Sequence, residues 1–160
     1  MTTTLDRPRA ADAPAGAHLL TLTLAGQGVG IPVDAVRDVL GPQELTPVPL
    51  AGPEIAGVLN LRGRIITAIN LRVHLGVDSD ACGRNWMNVV IDHQGELYSL
   101  LVDAVGDVLE PPAERLERNV SALNAGWREL ATGIYPLGDR LLVVLDVGRV
   151  LDFHARAAAA

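Results

Sequence analysis

The chain has 160 residues, of which 49% are apolar, and a formal charge of −6. That length suits one compact domain with a buried core, and the apolar fraction excludes a disordered class. The acidity argues against non-specific nucleic-acid binding, which needs a basic face.

Residues 1–16, rich in Thr, Ala, Pro and charge, read as a disordered tail. No apolar run follows their charges, so they do not form a secretory signal. Leu20, Leu22 and Leu24 then alternate with Thr21 and Thr23, the pattern of a half-buried strand. Gly26-Gln27-Gly28-Val29-Gly30 imitates a phosphate loop, but no helix follows and Pro32 intervenes. A hairpin turn leading into Val29–Ile31 is the better reading. In Val33–Leu40, helical spacing (Val33, Val36, Leu40) competes with alternation (Val36, Asp38, Leu40). The expectation is one helical turn opened by Asp34, then a strand from about Arg37. Gly41–Pro53 holds four prolines and reads as a loop with a short edge strand near Leu45–Val48.

The next stretch, GVLNLRGRIITAINLR (Gly57–Arg72), predicts a strand over Val58–Leu61, a tight turn at Arg62-Gly63 and a strand over Arg64–Ile69. Gly63 supplies the positive φ that such a turn needs. Asn70 is a good N-cap for a helical turn closed by Gly76. Arg62 and Arg64 flank the turn of an otherwise apolar hairpin, placing cations at a loop tip where a partner can reach them. Residues 77–87 are polar and form a link. Cys82, the single cysteine, lies there; it cannot form an internal disulfide and reads as an inert loop thiol. Strands are expected at Asn88–His93, Glu96–Val102 and Val105–Leu109, with a turn at Gln94-Gly95. Glu110–Trp127 reads as a loop with a helical turn at Ala113–Leu116. A last hairpin, GIYPLGDRLLVVLDV (Gly133–Val147), leads into a helix within Val147–Ala160 whose alanine tail, 155–160, frays.

The chain repeats itself. VDAVRDVLGP (Val33–Pro42) matches VDAVGDVLEP (Val102–Pro111) at eight of ten positions. The hairpin-like stretches before them, within His18–Ile31 and Asn88–Leu101, follow at nearly the same offset. The hairpins of Gly57 and Gly133 correspond at an offset of 76, so that Arg64 falls on Arg140 and Asn70 on Asp146. The sequence is therefore two copies of one strand-rich unit, 18–76 and 88–153. Short strands with tight turns favour small closed barrels, because closure removes exposed edges. The fold expected is mainly β: two pseudo-symmetric five-stranded barrels packed side by side, apolar residues of both filling the seam.

Nothing in the pattern carries enzyme chemistry. The four histidines (His18, His74, His93, His154) lack metal-ligand spacing, and no serine stands in a nucleophile elbow. Asp38 and Asp107 are repeat-related, which marks structure rather than an acid/base pair. Aromatic residues, at 3%, are thin for a proline-recognition groove or for base stacking. No stretch approaches the roughly 20 apolar residues of a membrane helix. No enzyme activity, metal or cofactor is expected, and a cytoplasmic setting is.

GVLNLRGRIITAINLR resembles the signature of the CheW family, G-V-x-N-L-R-G-x-I-x-P-x-x-D-L-R, and the resemblance continues through VDAVGDVL and TGIYPLGDRLLVVLDV. It implies a CheW-like domain over 17–154 with two SH3-like barrels. It also implies a non-enzymatic scaffold that couples the cytoplasmic tip of chemoreceptors to the regulatory domain of the histidine kinase CheA, in receptor arrays at the membrane. By the same resemblance, Arg62 matches an arginine implicated in coupling and Asp38 an acidic position paired with it. Val36 and Gly57 match positions of interface importance. With Leu40, Ala56, Asn60 and Gly63 they make up the expected partner-binding set. The implied mechanism docks the kinase domain on edges and loop tips of one barrel, and a receptor helical hairpin in the groove between barrels.

The chain departs from the pattern at Thr67 (usually proline), Asn70 (aspartate), Val29 (aromatic), Ala56 (basic) and Ser99 (glycine). These departures leave room for a paralogue serving a non-flagellar pathway. The rival readings are a CheW-like part of a CheV- or CheA-type protein, a barrel enzyme, and a stand-alone module for a peptide or small ligand. The chain's end at 160 without a receiver or ATP-binding domain counts against the first.

Overall fold

The computed structural model describes residues 18–52, 54–75 and 86–151. The tail expected at 1–16, the link around Cys82, the helix closure at Gly76 and the fraying end at 155–160 lie outside the described residues.

Ten strands form where alternation and turn residues place them. They are β1 (Leu19–Leu24), β2 (Gln27–Pro32), β3 (Val36–Leu40), β4 (Ile55–Leu61), β5 (Arg64–Asn70), β6 (Met87–His93), β7 (Glu96–Val102), β8 (Ala104–Leu109), β9 (Ala131–Leu137) and β10 (Arg140–Leu145). Three hairpins turn on two-residue loops with both φ angles positive: Ala25-Gly26 (54°, 79°), Arg62-Gly63 (52°, 84°) and Gln94-Gly95 (54°, 85°). Such turns match the twist of the strands they join. The glycine-rich Gly26–Gly30 is thus a hairpin turn and the start of β2, with Leu24 opposite Gln27. The ambiguous Val33–Leu40 resolves into one 3-10 turn, Val33–Ala35, followed by β3.

Two five-stranded sheets result, in the orders β8-β1-β2-β10-β9 (barrel one) and β3-β6-β7-β5-β4 (barrel two). Each contains two antiparallel hairpins joined by one parallel pairing, β2 with β10 and β5 with β7. The pseudo-symmetry is therefore real, but the sequence copies are not the spatial units. Barrel one takes β1 and β2 from the first copy and β8, β9 and β10 from the second; barrel two takes the complement. Closure is also symmetric. After β3 the chain returns so that Thr46 pairs with Val58, and after β8 Glu117 pairs with Ile134, the repeat equivalent of Val58. The edge strand expected near Leu45–Val48 shrinks to this single bridge, in a segment whose prolines lack ladder donors.

The seam is the main core. Leu22, Leu24, Val29, Ile31 and Val143 of barrel one pack with Ile69, Val89, Ile91, Leu100 and Val102 of barrel two. Each barrel keeps a smaller core of its own, Leu59, Ile66, Ala68, Val90 and Leu101 in barrel two and Leu19, Tyr135, Leu142 and Val144 in barrel one. Helix α1 (Leu71–Leu75) follows β5, and a helical turn at 147–151 follows β10. Asn70 Oδ1 accepts the Arg72 N–H at 3.0 Å, and Asp146 Oδ1 accepts the Arg149 N–H at 3.3 Å. The two repeat-related caps work alike. Replacing Asn70 by Ala is expected to lower the unfolding free energy by about 1 kcal/mol, measured by urea denaturation.

One element departs from the expected loop at Glu110–Trp127: helix α2 (Ala125–Leu130) buries Trp127 and Leu130 in the seam. Six residues are too few to display a helical period.

Candidate functional site

The exposed end of the β4–β5 hairpin is built by its own side chains. Asn60 Oδ1 accepts the Gly63 N–H at 3.0 Å, which locks the turn. With the turn fixed, Arg62 extends outward, and its Nη2 lies 3.3 Å from Asp38 Oδ2. Asp38 belongs to β3 and Arg62 follows β4, the two edges of one sheet. Barrel closure is what brings them together. Asp38 is held in turn by its other oxygen, which accepts the Val39 N–H at 2.9 Å.

A second ion pair stands beside the first. Arg37 places Nη2 at 2.9 Å and Nε at 3.1 Å from Asp92 Oδ2, and Asp92 Oδ1 accepts the Gly95 N–H at 3.2 Å. With Arg64, these four charged residues surround a shallow depression of about 350 Å³ whose apolar wall is Leu61, Val90 and Leu97. The Arg64 guanidinium is exposed and makes no ion pair or side-chain hydrogen bond among the described residues.

The expected partner-binding residues divide. Asp38, Asn60, Arg62 and Gly63 come together at this end of barrel two. Val36 is half-buried and packs on the seam, and Leu40 packs on the barrel-two core. Gly57 is buried under the closure, where a Cβ would sit 2.7 Å from the Thr46 carbonyl oxygen. Ala56 lies at the opposite end of the same strands, in a groove of about 340 Å³ with Leu45, Asn70, Trp86, Asn88 and Leu101. There the unusual Ser99 is buried, donates to Asn88 Oδ1 at 2.8 Å, and so fixes the amide that donates to the Gly41 carbonyl at 3.0 Å. Both grooves lie at the ends of barrel two, whereas the joint between barrels is packed by the main core.

Sequence reading missed Arg37 and Asp92. They are 55 positions apart, and only the pairing of β3 with β6 joins them. Further along β7, the Tyr98 hydroxyl donates to Glu96 Oε1 at 3.3 Å, and burial followed by the Glu96 charge pushes its pKa up. The phenol therefore stays neutral at neutral pH.

Exposed apolar residues recur in repeat-related pairs: Val39 with Val108, and Ile65 with Leu141. Each barrel thus presents an aliphatic pair at equivalent positions. The charges are duplicated only in part: Asp38 and Arg64 correspond to Asp107 and Arg140, but Arg37, Arg62 and Asp92 correspond to Gly106, Gly138 and Thr23.

The Asp38–Arg62 side chains are 28% and 78% exposed. Solvent screening at that exposure leaves such a pair worth about 0–1 kcal/mol. Arg62→Ala should accordingly leave the urea midpoint nearly unchanged, which makes it a clean variant for binding studies. Among the described residues no group of three or more His, Cys, Asp or Glu side chains is placed to hold a metal. No described helix is long and apolar enough to cross a membrane.

A family model described as CheW-like domain matches residues 18–154. Chemotaxis protein CheW of Klebsiella aerogenes is 29% identical over 142 residues, covering 89% of this chain and 86% of the relative. Chemotaxis protein CheW of Thermotoga maritima is 27% identical over 143 residues, covering 89% and 92%. The crystal structure of the scaffolding protein TtCheW from Thermoanaerobacter tengcongensis superposes with a TM-score of 0.73 at 22% identity, covering 81% of this chain and 88% of that one. At that identity the superposition speaks for the fold, two SH3-like barrels.

Proposed function

The chain belongs to the CheW-like family of chemotaxis proteins, and on that premise we propose that it is a non-enzymatic adaptor coupling chemoreceptor tips to the kinase CheA in cytoplasmic arrays. The observation that carries the reading is the fixed turn, in which the family motif N-L-R-G presents Arg62, paired with Asp38, at an exposed barrel end. A fixed loop lowers the ordering cost of docking a partner. The aliphatic pairs on the two barrels supply two similar docking faces, one for the kinase regulatory domain and one for a second array component. Two modest contacts then reinforce each other through avidity. Asp38, Asn60, Arg62 and Gly63 form the outer edge of this surface; Val36 and Leu40 hold β3 against the cores, Gly57 shapes the closing loop, and Ala56 lines the groove at the other end of the barrel.

The test is calorimetric titration into the regulatory domain of a CheA encoded in the same genome. Micromolar or tighter binding is expected, weakened by Arg62→Ala. Retained kinase binding by the variant would move Arg62 to the receptor face. Failure to bind any such kinase domain would remove the coupling role, and the ligand-module reading would replace it.

A further inference from the structure

We propose that Arg64 determines which kinase this protein accepts, by receiving a carboxylate from an acidic, partly aliphatic segment of the CheA regulatory domain docked on barrel two. This deepens the adaptor reading above and rests on it. The charges around the depression are unequal, three arginines against two aspartates. Both aspartates are committed, each giving one oxygen to an arginine and the other to a backbone N–H. Arg64 is the remaining cation, and its guanidinium has no partner among the described residues. A local positive excess in a chain of net charge −6 is a point to which an acidic segment is drawn.

The surroundings define the segment further. Leu61, Val90 and Leu97 form an apolar wall beside the charges. An aliphatic side chain laid on that wall would exclude water from a neighbouring Arg64–carboxylate contact. The contact would then be a charge-assisted, bidentate one. Arg37 and Arg62 are held in place by their own ion pairs and do not compete for the same carboxylate.

Arg64 is the first residue after the turn of N-L-R-G, and the bond that locks the turn also fixes where its side chain leaves the strand. Barrel one cannot substitute. Its equivalent positions hold Arg140 together with Asp107 and Asp139, and nothing there corresponds to Arg37 or Arg62.

The test is titration of wild type, Arg64→Ala and Arg64→Glu into two separate probes, the CheA regulatory domain and a receptor-tip hairpin from the same genome, at low and high salt. Arg64→Ala should weaken kinase binding about tenfold and Arg64→Glu more, while receptor binding and the urea midpoint stay unchanged. The salt dependence of kinase affinity should flatten in Arg64→Ala. Unchanged kinase affinity in Arg64→Glu would overturn the proposal while leaving the adaptor reading intact, and so would a loss confined to the receptor probe. Absence of kinase binding by wild type would instead remove the adaptor reading, and this proposal with it.

Discussion

Replacing Gly57 by Ala is expected to lower the unfolding free energy by about 3 kcal/mol or more, and the melting temperature by roughly 8 °C. Two costs combine. The backbone at Gly57 has φ of 149°, a conformation that side chains rarely adopt. An added Cβ would also approach the Thr46 carbonyl oxygen at 2.7 Å and its carbon at 3.1 Å, both backbone atoms. Neither can rotate away. Relief requires moving the strand edge, and that edge is the closure, in which Thr46 and Val58 exchange N–H···O bonds of 2.8 and 2.9 Å. The variant therefore opens the closure of barrel two beside the groove lined by Leu45 and Ala56.

Gly133 is the internal comparison. It occupies the equivalent place, with a Cβ 2.7 Å from a Leu116 methyl and 2.9 Å from the Glu117 carbonyl oxygen. Its φ lies outside the positive range, and the nearest atom can move. Gly133→Ala should cost less than Gly57→Ala in the same denaturation series. Equal costs would mean that φ contributes little, and near-zero costs would mean that the closure is loose. Kinase binding by a folded fraction of Gly57→Ala should be weakened without any lost side-chain contact, because only the loop's position changes.

The hairpins were legible because Gly63 and Gly95 sit where a two-residue turn needs them and alternation marks their flanks. The duplication exposed the pseudo-symmetry, and Asn70 and Asp146 announced their caps. What the repeat could not convey is partnership. Strand pairing is decided by the whole core, so β1 and β2 could join β8 rather than β3 without any change in local pattern. For that reason Arg37 and Asp92 stayed invisible, while Arg62 was legible as a cation at a hairpin tip and its pairing with Asp38 was reached only through family resemblance. Val36 and Gly57 illustrate the opposite difficulty. A position that a family resemblance marks for an interface can lie beneath the surface, and burial is not written in a motif.

The same exchange of strands explains the second large effect, expected at Arg72 and Asp103. Asp103 lies between β7 of barrel two and β8 of barrel one, where the chain crosses the joint. Arg72 Nη2 reaches its two oxygens at 2.8 and 2.7 Å, Asp103 Oδ2 also accepts the Ala25 N–H at 2.9 Å, and the Arg72 guanidinium lies 5.8 Å over the Trp86 ring. One ion pair thus ties α1, the crossover and the β1–β2 turn. The Arg72 side chain is only 7% exposed and that of Asp103 27%. Removing one partner leaves a poorly solvated charge, at a cost of about 3–5 kcal/mol for a buried pair. Solvent at Asp103 places the expected loss for Arg72→Met at the lower end of that range. Asp103→Ala should cost more than Asp103→Asn, since Asn keeps an acceptor for the Ala25 N–H. In a double-mutant cycle, Arg72→Met with Asp103→Asn should destabilise by clearly less than the sum of the single changes, because neither charge is then stranded. Hydrogen exchange supplies an independent reading: the Ala25 amide should lose protection in Asp103→Ala and largely keep it in Asp103→Asn. Additive losses of under about 1 kcal/mol each would show that the pair behaves like a surface contact. The seam would then be held by its apolar core alone.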